Sequence, residues 1–486
     1  MAQGLAPALR GPPGLAKRVI EAMPQCDAIG KVEVSGPGFI NIYLTKEHVA
    51  ARLSAVLARG GPPPPKIERK RKVAVDYSSP NVAKEMHVGH LRSTILGDSI
   101  ARMLEYCGHE VHRINHVGDW GTQFGMLIAH LKDEHPDYRS KLPDIADLTK
   151  LYKAAKARFD VSGKAKTAAG PGAAQPVAGT PEGGETGGWF VDRAHDEVVA
   201  LQANDPTNIS LWKRIVEASS MMFDAVYKRL GVHPDLELRG ESFYNPMLPV
   251  VVDEMDKAGM LTSEEDGAKL AHIEGFEVPL IVRKRDGGYG YDSTDLAAAK
   301  HRTQVLGCDW LVYVIDAGQA LHLQLCFEGA RRMGWAPREG PKSVRIDHVD
   351  FGVVLGSDGK RFKTRSGSTV RLVDLLDEAR DRTYRELALR AAPGSGADLT
   401  LRGRRTDEGE LLADLTDAER TALEAAEAKS APAPPAEGEA VHYSQIPDDA
   451  TRREAAEKLG YSGVKYFDLK NNRKTDYQFS YGNMLS

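Results

Sequence analysis

Cysteine is scarce in this chain of 486 residues, with four in all: Cys26, Cys107, Cys308 and Cys326. They are scattered, no C-x-x-C pair suggests zinc, and four are too few for a disulfide framework, so a reducing compartment is expected. Long apolar runs are missing as well. No stretch reaches the roughly 18 consecutive apolar residues that read as a membrane-spanning helix. The N-terminus, M-A-Q-G-L-A-P-A-L-R-G-P-P-G, has no signal-peptide core; its small residues and single Arg leave a weak transit peptide as the alternative. Charge of one sign is not in excess: 64 Lys and Arg against 68 Asp and Glu give a formal net charge of -4. That excludes a generally basic nucleic-acid coat and leaves room for a local basic groove. Internal repeats are absent, which excludes a solenoid. What remains, 42% hydrophobic and 27% charged, is the composition of a soluble globular enzyme. Its length suggests roughly two to four domains.

The stretch from Val73 to Gly108 organises the rest. Val73-Ala74-Val75 reads as a buried strand. Ser78-Ser79-Pro80-Asn81 breaks it, because Pro80 lacks an N–H and biases Ser79 away from helical angles. A helix opens near Val88 and Gly89, with Leu96, Ile100, Met103, Leu104 and Cys107 at helical spacing, and Gly108 closes it. His87-Val88-Gly89-His90 thus falls where a strand hands over to a helix N-terminus, a place that favours phosphate. Two imidazoles there add donors for charge developing on phosphate oxygens. Standing alone, they would read equally as capping histidines. His109 to Val117 follows as a parallel strand, completing a β-α-β unit and predicting a doubly wound sheet with its ligand beyond the carboxyl ends of the strands.

The H-x-G-H pattern resembles the first signature of class I aminoacyl-tRNA synthetases and related nucleotidyltransferases. The longer run S-S-P-N-V-A-K-E-M-H-V-G-H-L-R-S-T resembles the arginyl-tRNA synthetase family, in its eukaryotic cytosolic form. The block Asn115 to Gly125, N-H-V-G-D-W-G-T-Q-F-G, resembles a second family segment lining the same cleft; alone it would be a Gly-rich turn with a core Trp. The resemblance implies an α/β fold: a Rossmann-like parallel sheet split by a helical connective insertion, with a small α/β N-terminal remnant.

Seven segments follow. Residues 1–65 are part of the N-terminal domain that contacts tRNA in the family, with a stiff linker from Gly60 to Pro65; Leu15–Met23 and Lys46–Ala58 read as helices and Ile40–Leu44 as a half-buried strand. Residues 66–160 form the first half of the nucleotide-binding domain. Residues 161–188 lack aromatics, are rich in Gly, Ala and Pro, and read as a disordered loop. Residues 189–275 are the connective insertion, with an amphipathic helix carrying Trp212, Phe223 and Leu230 and ended by Gly231; its apolar stripe reads as core. Residues 276–392 are the second half, opening at Val278–Arg283 and including the buried strand Trp310–Ile315. Residues 393–440 are low-complexity, with a solvated helix expected over Leu411–Lys429. Residues 441–486 resemble the segment that leads to an anticodon-binding bundle, and the sequence stops there.

Site residues follow from the resemblance, each matched to its chemistry. His87 and His90 would donate to ATP phosphates, and Gly89 would let the nucleotide approach the backbone. Lys84 would supply charge that the second signature lacks; alone it would be a solvated surface lysine. That second signature is the loop Lys360-Arg361-Phe362-Lys363-Thr364-Arg365-Ser366-Gly367, a divergent K-M-S-K motif in which Arg361, Lys363 and Arg365 are the candidate cations for pyrophosphate. Tyr291 and Asp295, four residues apart on a helical turn, would read the arginine side chain, the carboxylate meeting the planar guanidinium bidentately. Ser79, Pro80, Asn81 and His90 would hold the α-amino end, and Gln319 would complete the pocket. Tyr477, Phe479 and Tyr481, beside Lys470, Arg473 and Lys474, are candidates for stacking on tRNA, with exposed remnants of a core as the alternative. No metal ligand set is read.

The function implied is arginine–tRNA ligation: ATP, with Mg2+, and L-arginine give arginyl-adenylate, and tRNA(Arg) receives the arginine, in the cytoplasm. The family is expected to need bound tRNA for activation, so a chain ending before the anticodon bundle is expected to charge tRNA poorly. Two alternatives stand beside this. One is a non-catalytic scaffold that keeps the fold, which a failure to bind an arginyl-adenylate analogue would favour. The other is a small-molecule adenylyltransferase, which indifference to tRNA would favour.

Overall fold

A computed structural model describes residues 11–141, 145, 147–170, 174–184, 187–285, 287–356, 359–360, 370–391 and 448–485. The chain divides into two compact units, Met1–Glu68 with Tyr106–Gly108, and Arg69–Glu105 with His109–Ser486.

In the smaller unit, helix α1 (Pro12–Glu21) packs on a hairpin of β1 (Ile29–Ser35) and β2 (Phe39–Leu44), and α2 (Lys46–Arg59) follows. Thr45 caps α2 by accepting from His48 N at 3.3 Å, and Gly60 closes it in the left-handed region at φ 79°. The strand read as half-buried is exposed along nearly its whole length, since a two-stranded ribbon has no second layer over its other face. β1 carried no clear alternation and was not expected.

The larger unit is built on a five-stranded parallel sheet. Its spatial order is β10 (Arg345–His348), β9 (Trp310–Tyr313), β3 (Lys72–Asp76), β4 (Glu110–Asn115) and β5 (Glu237–Leu238). Val73, Ala74 and Val75 of the central strand are at most 1% exposed, as expected when both sheet faces are covered. From β3 the chain runs through α3 (Val88–Tyr106) to β4 on one side, and later returns to place β9 on the other. The crevice between β3 and β9 is therefore a topological switch point, where such sheets bind ligands.

Between β4 and β5 lies a helical layer: α4 (Thr122–Glu134), α5 (Leu148–Ala169), α6 (Phe190–Gln202) and α7 (Pro206–Leu230). Gly231 ends α7 at φ 61°, as its sequence position suggested, and Leu211, Ile215, Phe223, Val226 and Leu230 are buried. The loop expected over 161–188 is corrected at its start. α5 continues to Ala169, capped by Asp147 at its N-terminus, because the A-K-T-A-A run consists largely of good helix formers. Two more contacts pin it: Ser162 Oγ accepts from Val191 N at 3.2 Å, and Lys166 pairs with Asp192 at 2.5 Å. Residues 177–184 form turns.

Two other expectations change. The stretch beginning at Leu236 does not simply prolong the insertion, because β5 joins the central sheet beside β4. Leu280–Arg283 (β8) does not enter that sheet; it pairs antiparallel with β7 (Lys269–Ala271), which pairs with β6 (Thr262–Ser263). Helix α10 (Tyr291–Lys300) runs on into a π-helical turn at His301–Val305, and α11 (Ala320–Arg332) follows β9.

β11 (Val354–Leu355) pairs in parallel with β12 (Tyr477–Gln478), and α12 (Leu372–Ala391) packs against α13 (Asp449–Leu469), with Gly460 close to the carbonyl of Ala379. Tyr477 and Phe479 are 8% and 6% exposed and pack on Phe467, and Tyr481 packs on Phe479. Tyr477 and Phe479 are core and Tyr481 is partly buried against them, which corrects their reading as tRNA-stacking residues. The segment Leu411–Lys429 lies outside the described residues.

Candidate active site

The connection from β3 to α3 is held under local strain. Ser78, Ser79 and Ala83 have φ of 74°, 45° and 68°, three of the four non-glycine residues with positive φ among those described. Such angles persist only when surroundings enforce them. Here Ser78 N donates to Ser93 Oγ at 2.8 Å, Ser79 N to Asn115 Oδ1 at 2.9 Å, and Ala83 N to Ser219 Oγ at 2.9 Å.

His87 and His90 stand together, ring centroids 4.0 Å apart. His87 Nδ1 accepts from Gly89 N at 3.0 Å, and His90 Nδ1 accepts from His87 N at 3.1 Å. An Nδ1 that accepts carries no proton, so both neutral rings hold theirs on Nε2 and act as donors there. Burial, then the neighbouring His87 and Lys84, push His90 down to about 3, which keeps it neutral. Gly89 has a reason beyond the one read from sequence: a Cβ there would lie 2.8 Å from His87 Cε1 and 2.9 Å from Nδ1. Lys84 is exposed, its Nζ 5.8 Å from the centre of the Tyr152 ring.

The turn also meets the far end of the cation loop. Val88 N donates to Val370 O at 3.2 Å and Leu372 N to Met86 O at 2.8 Å, while Arg371 pairs with Glu85 at 3.0 Å. Arg361, Lys363 and Arg365 lie outside the described residues. The strand before the loop is anchored by Arg92, which is 1% exposed. Its Nη1 donates to Gly352 O at 2.7 Å, its Nε faces Asp468 Oδ1 at 3.0 Å, and its guanidinium lies over the Tyr477 ring.

At the switch point a cavity of about 130 Å³ is lined by Asp76, Ser79, His116, Glu241, Tyr291, Thr294, Asp295, Tyr313 and Ile315. Tyr291, Asp295 and Ser79 come together as the sequence suggested. Pro80 is buried and does not line the cavity, and Asn81 is exposed and bridges to Gly118. Gln319 is exposed at the start of α11 and is not among the lining residues. His90 belongs to the turn rather than to this lining.

Three acids of different character face the cavity. Asp76 is spent on Arg302, an ion pair of 2.7 Å whose side chains are 3% and 1% exposed; Arg302 also donates to His116 Nδ1 at 3.3 Å. Asp295 is held low despite burial, first by its hydrogen bond with His322, then by His116. Its Oδ2 takes His322 Nε2 at 2.6 Å, while Oδ1 lies 4.0 Å from His116 Nδ1. The bidentate fork expected at Asp295 is therefore half occupied by the protein itself. Glu241 is pushed up to about 7, by burial and then by the charges of Asp119 and Asp295. Asp119 sets the loop that carries it, accepting from Ser242 N at 2.8 Å and Ser242 Oγ at 2.6 Å, and Gly240 leaves room for that carboxylate.

Glu241, His116, Asp76, Arg302 and His322 escaped the sequence reading as site residues. His116 lay inside the quoted N-H-V-G-D-W-G block, but Glu241 and His322 had no signal beyond residue type. Asp295, His322 and Cys326 place ligand atoms within 4.8 Å of one another. In this structure His322 is hydrogen-bonded to Asp295, and burial pushes the Cys326 thiol up to about 12.

Known proteins resemble this chain along most of its length. Residues 52–392 match the family described as tRNA synthetases class I (R), catalytic domain, and residues 2–44 match the arginyl tRNA synthetase N terminal domain. The chain is 40% identical over 474 residues to the cytoplasmic arginine–tRNA ligase of Gallus gallus, covering 98% of this chain but 59% of that protein. It is 40% identical over 482 residues to arginine–tRNA ligase of Nostoc sp., covering 98% of this chain and 68% of that one. The crystal structure of arginyl-tRNA synthetase from Plasmodium falciparum superposes with a TM-score of 0.63 at 31% identity, over 97% of this chain and 66% of the other. The family match spans well over half the chain, and the chain belongs to the class I arginyl-tRNA synthetase family.

Proposed function

We propose that this chain activates L-arginine with ATP and passes it to tRNA(Arg). A carboxylate oxygen of arginine attacks the α-phosphorus of ATP, the bond to the β-phosphate oxygen breaks, and arginyl-adenylate and pyrophosphate form. The terminal ribose hydroxyl of tRNA then attacks the arginyl carbonyl and AMP leaves. ATP arrives as its magnesium complex, as substrate. Cytoplasmic location fits the named relative and the lack of a helix long and apolar enough to cross a membrane among the described residues.

The observation that carries the reading is the pair of carboxylates, Asp295 and Glu241, facing one small cavity beside Tyr291 at the switch point. A guanidinium offers planar donors to two acceptors at fixed spacing, and an ammonium does not. Arginine's side chain would lie between Asp295 Oδ1 and Glu241 with Tyr291 against it. Ser79 and Asn81 are the residues proposed for the α-amino end, and Gln319 would have to move to join them. His87 and His90 would donate from Nε2 to the phosphates; His90, neutral throughout the physiological range, contributes a hydrogen bond rather than a proton. Lys84 and the loop cations Arg361, Lys363 and Arg365 would take the charge on pyrophosphate.

The test is tRNA-dependent formation of arginyl-adenylate by this chain, with lysine as the control amino acid. Formation with arginine alone, lost in Asp295→Ala, supports the reading; equal turnover of both amino acids refutes it.

A further inference from the structure

The cluster behind Asp295 does more than fill space. His322, on the first turn of α11, sends Nε2–H to Asp295 Oδ2 at 2.6 Å and Nδ1–H toward Asp292 Oδ1 at 3.2 Å. Its ring stands edge-on to Tyr291, centroids 4.7 Å apart. Asp292 is fixed in turn by accepting from Ile281 N at 2.6 Å. One side chain of α11 thus touches Tyr291 and Asp295, which line the cavity, and Asp292 on the same turn of α10.

A ring whose two nitrogens each meet a carboxylate donates from both, and only an imidazolium can do that. The charges agree: burial works to lower His322, but its hydrogen bonds to Asp292 and Asp295 outweigh it and push the ring up to about 12. Of the two acids on that turn, one negative charge is left over. Asp295 keeps Oδ1 for the cavity and cannot swing to present both oxygens, because Oδ2 is held. Tyr291, 65% exposed, rests its ring against His322.

We propose that His322 is a specificity-determining positioning residue: it fixes which oxygen of Asp295 and which face of Tyr291 meet the substrate, so that a guanidinium must be shared between Asp295 Oδ1 and Glu241. This rests on the arginine reading of the pocket. Without His322, Asp295 would turn freely and Tyr291 would lose its backing, and a compact ammonium would be accepted more nearly as well as a guanidinium.

The experiment compares binding of arginine, lysine and ATP to the full chain and to His322→Ala and His322→Gln. For His322→Ala, arginine affinity is expected to fall at least about tenfold and the arginine-over-lysine preference to shrink, with ATP affinity within about twofold of wild type. His322→Gln, whose amide N–H replaces the donor to Asp295, is expected to recover most of the preference. The wild-type chain gives a second readout that no variant's folding can spoil: nitrogen NMR of His322 at pH 8 is expected to show both ring nitrogens protonated. An unchanged preference in His322→Ala, or a neutral ring at pH 8, overturns the proposal. Failure of wild type to bind arginine overturns the reading of the pocket instead, while the NMR result still judges the clamp.

Discussion

Glu241 and Gly89 show how much a single side chain, or its lack, decides here. Glu241 sits raised to about 7, so below that pH it is largely neutral and its preference for the proton favours the fold at low pH. A bound guanidinium favours the ionised form. Arginine affinity is therefore expected to rise with pH between about 6 and 8, with proton release on binding below 7. Calorimetry in buffers of different ionisation enthalpy measures this, and Glu241→Gln should flatten the profile. At Gly89, alanine brings a Cβ within 2.8 Å of His87 Cε1, so the ring must leave its place over the turn. Gly89→Ala is expected to weaken ATP binding about tenfold, equivalent to ~1.4 kcal/mol, with thermal stability little changed. Residue types with a motif around them, such as His87, His90, Tyr291 and Asp295, could be read from sequence. Glu241 and His322 could not, because their meaning comes from elements far apart in the chain meeting at one cavity.

Among the elements, those with a long apolar period or a strong stop were legible: α3, α7 with Gly231, and the buried strands β3 and β9. Two-residue strands such as β5 and β12 have no period to read, and their pairing is decided by neighbours. α5 runs past residue 160, against its composition, because the stretch 161–188 joins an Ala- and Lys-rich helix end to Gly- and Pro-rich turns. Close approach between elements gives two predictions. A Cβ at Gly125 of α4 would lie 1.9 Å from Ala194 O of α6, so Gly125→Ala is expected to cost about 1–3 kcal/mol in denaturant unfolding. Arg92 joins α3 to Asp468 of α13 and to the strand before the cation loop. Arg92→Met leaves Asp468 buried without its cation and is expected to cost about 3–5 kcal/mol by the same measurement. Adding Asp468→Asn should restore part of that loss.

For the molecule as a whole, the β-α-β unit and the doubly wound parallel sheet followed from the order of buried strands and one helix. The position of the crevice did not, since it depends on β9 returning to the opposite side of β3. That return brings Tyr313 at the end of β9, with Ile315 beyond it, to the same cavity as Asp76 at the end of β3, with Ser79 beyond it, and Asp295 and Glu241 line it too. The central claim is that this crevice accepts an arginyl-adenylate. Calorimetric titration with a non-hydrolysable arginyl-adenylate analogue, and with its lysyl counterpart, tests it without requiring turnover. Tight binding of the arginyl analogue is expected, with binding of the lysyl analogue weaker by about a hundredfold or more and loss of that difference in Asp295→Asn. Equal binding of the two analogues by the wild-type chain would contradict it.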